Sequence, residues 1–183
     1  MLITIKEISK NPFIQKDKIF IYPTDTIYGI GCDAKNEELV NKIRKIKQRP
    51  ETPFSVIAPD KEWIKENCEI SQNAKFYLNK LPGPYTLILK LKNKQAIANN
   101  VSFSSTIGVR IPAHPITKII SKLKIPIITT SVNLSGDKFM TSLDDLNQEI
   151  KSQIDAIIYE GPIKGKPSTV IDLSQDKEKI LRN

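Results

Sequence analysis

YPTDTIYGIGCDA, residues 22–34, is the stretch from which the rest of the chain can be read. The apolar approach from Ile19 to Tyr22 reads as the end of a buried strand, and three small polar residues, Thr24, Asp25 and Thr26, follow it. Gly29 and Gly31 then permit a tight turn or a close approach of backbone to a ligand. The spacing matches neither G-x-x-x-x-G-K-[ST] nor G-x-G-x-x-G, so this is neither familiar phosphate-binding loop. A strand ending in small polar side chains fits an open sheet that binds its ligand at strand ends.

Working outward, apolar runs of four to seven residues recur between Pro, Gly, Asn and Asp, with helical patterns between them. Strands are expected at 19–22, 54–58, 85–91, 107–111, 126–130, 156–159 and 169–173. In 85–91 the residues Tyr85, Leu87, Leu89 and Leu91 share one face, and Thr86, Ile88 and Lys90 the other. The clearest helix is capped by Asn36, carries Leu39, Val40, Ile43 and Ile46 as one stripe, and ends in a basic turn stopped by Pro50. Further helices are expected at 71–80, 115–124 and 141–150. The pattern predicts one α/β domain, residues 1–183, built on a twisted mixed sheet with flanking helices.

Composition agrees: of 183 residues, 39% are hydrophobic and 26% charged, which is globular rather than disordered or membrane-embedded. No apolar run is long enough to span a bilayer, and MLITIKEISK is broken by Lys6 and Glu7 before it can serve as a signal peptide, so a cytoplasmic location is expected. Cys32 and Cys68 lack a C-x-x-C partner or a neighbouring His, which argues against zinc, redox and disulfide roles. The Asn133-Leu134-Ser135 sequon is accidental in a chain of that location. A net charge of +8, with lysines scattered through runs such as Lys6 to Lys18, favours anionic partners but equally suits a soluble surface.

Motifs for a nucleophile elbow and for a zinc protease are absent, and His114 is the only histidine, placed where it would cap a helix. What remains is polar residues at strand ends: Thr24 to Thr26, Arg110, Ser131 with Asn133, and Ser168 with Thr169. Hydroxyls, amides and guanidinium groups, with hardly a general base among them, suit the binding of a polar anion. Lys47, Arg49, Arg110 and Arg182 could clamp phosphates or a carboxylate. Each also has a plain structural use as cap, turn or helix end. Arg110 resists that use best, because an arginine in an apolar strand needs an anion.

Seven segments in this order, YPTDTIYGIGCDA, KQRPETPFSVI, LPGPYTLIL, TIGVRIPAHP, PIITTSVNLSG, PSTVIDL and ILR, resemble the YrdC family of threonylcarbamoyl-AMP synthases over Tyr22 to Arg182. The resemblance implies a YrdC-like α/β fold with a basic concave face, in its short form without the extra C-terminal domain of longer members. It implies an enzyme, a nucleotidyltransferase, that joins L-threonine, bicarbonate and ATP into threonylcarbamoyl-adenylate and releases pyrophosphate, with Mg2+ held by the substrate phosphates. A downstream transferase would then modify the adenosine beside a tRNA anticodon, and tRNA itself is a further candidate partner. Residue by residue, Thr26, Arg110, Thr129 and Ser168 resemble the threonine contacts. Lys47, Arg49, Thr106, Ser131, Asn133 and Arg182 resemble the ATP contacts, with Lys47, Arg49 and Arg110 carrying catalysis and no protein-held metal.

The chain departs from the family pattern in places. Gln48 stands where glycine is frequent, Ile57 where long members have histidine, and Asp137 to Thr141 where a Pro-Ser-Pro-Thr type sequence is common. Glu51 to Pro53 and Ile163 to Pro167 are lid candidates. Two other readings stay open: a carbamoyl-adenylate-forming enzyme of hydrogenase-maturation type, and a non-catalytic basic RNA-binding module.

Overall fold

The computed structural model describes residues 1–10, 17–175 and 177–183, so part of the Lys6 to Lys18 run lies outside the described residues. The strands are β1 (Leu2–Ile3), β2 (Phe20–Tyr22), β3 (Gly29–Gly31), β4 (Ser55–Ile57), β5 (Tyr85–Lys90), β6 (Thr106–Arg110), β7 (Ile127–Ser131), β8 (Ala156–Ile158), β9 (Thr169–Asp172) and β10 (Lys179–Arg182). They form one mixed sheet in the order β1-β8-β2-β3-β7-β4-β6-β5-β9-β10. Strand β7 joins the two halves, pairing through Thr130 and Ser131 with β3 and through Ile127 to Thr129 with β4.

Among the described residues six helices flank the sheet: α1 (Ile5–Lys10), α2 (Glu37–Lys47), α3 (Lys61–Asn67), α4 (Gln72–Asn79), α5 (Ile116–Leu123) and α6 (Gln148–Ser152). Strand alternation sorts the core into two layers. Ile21, Val56, Leu87, Val109 and Ile128 face α2, α3 and α4, where Leu39, Val40, Ile43, Ile64 and Leu78 meet them. On the opposite face Phe20, Tyr22, Ile57, Ile127 and Ile158 pack on Ile8 of α1 and on Ile116, Ile119 and Ile120 of α5. That second cover reaches only part of the sheet. The residues of like parity on the remaining strands, Ser55, Gly108, Thr86, Ile88 and Val170, line an open cavity.

All seven expected strands form, and α2 begins as predicted, with Asn36 Oδ1 accepting from the Leu39 N–H at 3.1 Å. Its end explains the family's glycine: Gln48 closes the helix at φ 50°, in the left-handed region where a side chain is strained. The expected helix at 141–150 divides into a 3-10 turn at Leu143–Asp145 and α6, because Asn147 Oδ1 caps the Glu149 N–H and restarts the helix. Strands β1, β3 and β10 and helices α1 and α3 were not anticipated. In β3, Gly31 is dictated by its neighbour: a Cβ there would lie 1.9 Å from Ile128 O of the packed sheet. Both cysteines are free and buried. No helix among the described residues is long and apolar enough to cross a membrane.

Candidate functional site

Cross-strand register brings the site together. Gly29 pairs with Ser131 across β3 and β7, while Thr129, Ser55, Gly108 and Ile88 follow one another across β7, β4, β6 and β5. Thr86, Val170 and Arg182 continue the row over β5, β9 and β10. These residues floor a cavity of about 590 Å3. Gly108 keeps the floor low, because a Cβ there would come within 2.3 Å of Ser55 Oγ. Of the residues the sequence singled out, Arg49, Thr106, Arg110, Thr129, Ser131, Ser168 and Arg182 line this one space. Thr26, Lys47 and Asn133 do not line it and lie behind its wall.

Hydroxyl protons at the first motif can be accounted for one by one. Thr24 Oγ1 donates to Ile27 O at 2.7 Å and accepts from the Thr26 and Ile27 N–H groups at 3.1 and 3.3 Å, which organises the turn after β2. With that proton used, the 2.9 Å contact between the two hydroxyls needs Thr26 as donor. Thr26 Oγ1 in turn accepts from Arg110 Nη2 at 3.2 Å.

Arg110 is buried to 6% exposure, and its Nη2 also donates to Asp25 Oδ1 at 2.7 Å. The other oxygen of Asp25 accepts from the Ala113 N–H at 2.9 Å, so the carboxylate is held at both ends. Burial pushes the Arg110 pKa down, opposed by Asp25. Its Nε is buried with no hydrogen-bond partner, although the residue lines the cavity. Nearby, Ser168 Oγ lies 2.8 Å from Thr86 Oγ1 and accepts from Arg182 Nη2 at 3.2 Å, while Arg182 Nε donates to Ser168 O at 2.9 Å.

Lys47, fully buried at the end of α2, turns inward. Its ammonium donates to Ser131 O at 2.5 Å, to Asn133 O, and to Asn133 Oδ1 at 2.8 Å. Ser131 Oγ donates to the same Oδ1 at 2.5 Å, and Asn133 Nδ2 reaches Asp137 O at 2.9 Å. Burial, with Arg49 beside it, brings the Lys47 pKa down to about 7. The K-x-R and S-x-N elements are thus one hydrogen-bonded unit at the end of β7. From it Arg49 and Ser131 reach the cavity.

Among the described residues, no ion pair involves Arg44, Lys47, Arg49 or Arg182, and no Asp or Glu lines the cavity. Nor do the described residues hold three His, Cys, Asp or Glu side chains placed to bind a metal ion. His114 is a helix cap as well as an ion-pair partner: its Nδ1 accepts from the Ile116 N–H at 3.2 Å, so Nε2 carries the proton toward Glu160 Oε2 at 2.9 Å. Its pKa is lowered, first by burial.

Sequence reading gives no site role to several lining residues, Tyr28, Phe54, Ser55 and Thr86, while Pro167 of a lid candidate does line the cavity. Thr86 and Ile88 were on the right face of β5, and that parity was the available signal. The sequence gives Asp25 no role beyond its place between Thr24 and Thr26. Gly165, in a lid candidate, is packed so closely on the first motif that a Cβ would meet Thr26 O at 1.7 Å.

The family model Sua5/YciO/YrdC, described as telomere recombination, matches residues 12–183. A Methanocaldococcus jannaschii protein provisionally named threonylcarbamoyl-AMP synthase is 39% identical over 172 residues, covering 90% of this chain and 81% of its own. Escherichia coli K12 YciO is 31% identical over 174 residues, covering 92% and 84%. The structure of P. abyssi Sua5 complexed with L-threonine superposes with a TM-score of 0.88 at 30% identity, over 100% of this chain and 57% of that one. The E. coli YciO crystal structure gives 0.85 at 26% identity, over 100% and 94%. The chain therefore spans less than two thirds of the Sua5 structure it resembles and nearly all of YciO. By its profile, its relatives and its fold, the chain belongs to the Sua5/YciO/YrdC family.

Proposed function

We propose that the chain is a threonylcarbamoyl-AMP synthase, an ATP-using nucleotidyltransferase. The observation that carries this reading is the two-ended cavity. At one end the Arg110 guanidinium stands with the hydroxyl-bearing Thr24, Thr86 and Ser168; at the other stands Arg49, with no carboxylate partner among the described residues. A zwitterionic amino acid bearing a hydroxyl suits the first end, and a polyphosphate suits the second. The name of the M. jannaschii relative and the threonine in P. abyssi Sua5 support the same assignment.

In this reading Arg110, with Thr26 behind it, receives the threonine carboxylate, and Thr129 and Ser168 line the same end. Arg49, Thr106, Ser131 and Arg182 take the nucleotide, with Lys47 and Asn133 fixing the wall that carries Ser131. The threonine amine adds to bicarbonate, losing water, to give a carbamate. A carbamate oxygen then bonds to the α-phosphorus of ATP as the bond to the pyrophosphate oxygen breaks. No lining residue needs to move a proton in the second step; proximity and charge stabilisation by Arg49, Arg110 and Arg182 supply the acceleration.

Among the described residues none brings a carboxylate to the cavity, so its lining does not fit an all-protein Mg2+ cage. Mg2+ would come with the triphosphate, and no step here is routed through it. Bicarbonate as co-substrate, transfer of the product to tRNA by a separate transferase, and a cytoplasmic site of action belong to the same proposal. The test is incubation with ATP, labelled bicarbonate and threonine, with mass detection of the adenylate. Product is expected without RNA; its absence over a range of Mg2+ and pH would refute the assignment.

A further inference from the structure

Arg44 does not line the cavity, yet it organises the proposed nucleotide end. It lies in α2, buried to 6% exposure, and all its side-chain hydrogen bonds go to backbone carbonyls. Nε and Nη2 donate to Asn100 O at 2.8 and 2.6 Å, and Nη2 also to Val101 O at 3.3 Å. Nη1 donates to Arg49 O at 2.9 Å and Thr52 O at 3.0 Å. The Arg44 carbonyl accepts from the Arg49 N–H at 3.0 Å, so one residue grips Arg49 by both of its backbone polar groups. The guanidinium carbon sits 4.7 Å from the Phe54 ring centroid and 4.8 Å from that of Phe103, and the Phe54 N–H donates to Val101 O at 3.0 Å.

A single planar fork therefore ties the segment 49–54, which supplies Arg49, Thr52, Pro53 and Phe54 to the cavity, to the turn at 100–101. Charge makes this an unexpected choice for mere packing. No ion pair among the described residues neutralises Arg44, and burial together with the nearby Arg49 lowers its pKa. A buried cation beside like charges is costly, and a carbonyl cluster needs only neutral donors. A cation there makes sense if the cluster receives an anion. Five fixed donors of an arginine, unlike the swivelling ammonium of lysine, can set the direction from which Arg49 meets it.

We propose that Arg44 is a positioning residue: it locks residues 49–54 against residues 100–101 and so aims Arg49 at the phosphates. This deepens the synthase reading and rests on it for the identity of the anion.

The test uses the full chain with Arg44→Lys and Arg44→Met. Pyrophosphate release is measured with ATP varied at saturating threonine and the reverse, alongside hydrogen exchange of the amides from 48 to 55 without substrate. Both variants are expected to raise KM for ATP by about tenfold or more, the scale of a small misplacement at a reacting centre. KM for threonine should stay at the wild-type value, and the 48–55 amides should exchange faster while those of β6 and β7 do not. A wild-type KM for ATP in Arg44→Lys, or an equal rise for both substrates, would overturn the inference. Should both variants fail to fold, Phe103→Ala removes the exposed ring over the guanidinium and leaves every hydrogen bond in place. It is expected to loosen 48–55 and raise KM for ATP by about two- to fivefold, the worth of one cation–π contact; no change in either would refute the assignment. If wild-type protein releases no threonine-dependent pyrophosphate, the synthase reading fails instead. The exchange measurement still judges whether Arg44 holds the loop.

Discussion

Removing the Asp25 carboxylate should unsettle the centre of the site. The Asp25–Arg110 pair is 2.7 Å long, with side chains only 11% and 7% exposed, so solvent screening offers little relief. Asp25→Ala leaves a buried guanidinium without its counter-charge and also strips the Ala113 N–H of its acceptor. Breaking a buried pair by deleting one member costs about 3–5 kcal/mol. At about 2–4 °C per kcal/mol for a chain of this size, the melting temperature should fall by about 6–20 °C.

Thermal and urea unfolding of wild type, Asp25→Ala, Arg110→Met and the double variant separate this cause from general damage. Most of the loss comes from the charge left behind, so the double variant should be more stable than the sum of the singles predicts, by about 2–3 kcal/mol. Additive losses, or a loss below about 1 kcal/mol in Asp25→Ala, would show that the pair is not the electrostatic unit described here.

Three further outcomes are expected. Gln48→Gly relieves the left-handed φ of 50° at the end of α2 and should stabilise the fold by about 1 kcal/mol in urea melts; destabilisation would contradict the strain. Gly165→Ala places a Cβ 1.7 Å from Thr26 O, so the loop before β9 must move, and threonine-induced protection of residues 161–168 in hydrogen exchange should be lost. With its pKa lowered to about 7, the Lys47 ammonium titrates near neutrality in the free protein, and each molecule that loses the proton loses one of the three donations to Ser131 and Asn133. An arriving polyanion favours the charged form, so ATP binding should take up a fraction of a proton, seen as a buffer-dependent calorimetric enthalpy and lost in Lys47→Met. An enthalpy independent of buffer would count against it.

Much of this was legible because it is local. Strand alternation placed Thr86 and Ile88 together, and Asn36 announced its helix. An arginine amid the apolar residues of β6 had to face something polar. The unread parts depend on neighbours far along the chain. Gly29-Ile30-Gly31 has poor strand propensity, and only β2 and β7 on either side make it β3. Strand β10 shows a basic, short pattern and exists because β9 offers an edge. Thr26, Lys47 and Asn133 read as ligand contacts, but sequence spacing cannot distinguish a side chain in the cavity from one gripping the wall behind it. Arg44 escaped notice for the same reason: its partners at 100–101 are brought to it by the fold.

The geometry also suggests why the site needs so few chemically reactive groups. Helices α1 and α5 cover one part of a sheet face and leave the rest bare, and the bare strands carry hydroxyls, glycine and arginine alongside Ile88 and Val170. Leaving sheet uncovered forgoes hydrophobic stabilisation, and placing Arg44, Lys47, Arg49, Arg110 and Arg182 around it with one carboxylate partner among the described residues forgoes more. Asp25 holds Arg110 by its Nη2 edge, Lys47 gives its donors to Ser131 O and to Asn133, and Arg44 gives its donors to backbone carbonyls, leaving Arg49 to face the cavity. The donors are therefore oriented before any substrate arrives. In a reaction where carbamate meets phosphorus, both anionic, the main barrier is bringing like charges together. A wall of fixed cations lowers that barrier without a general base.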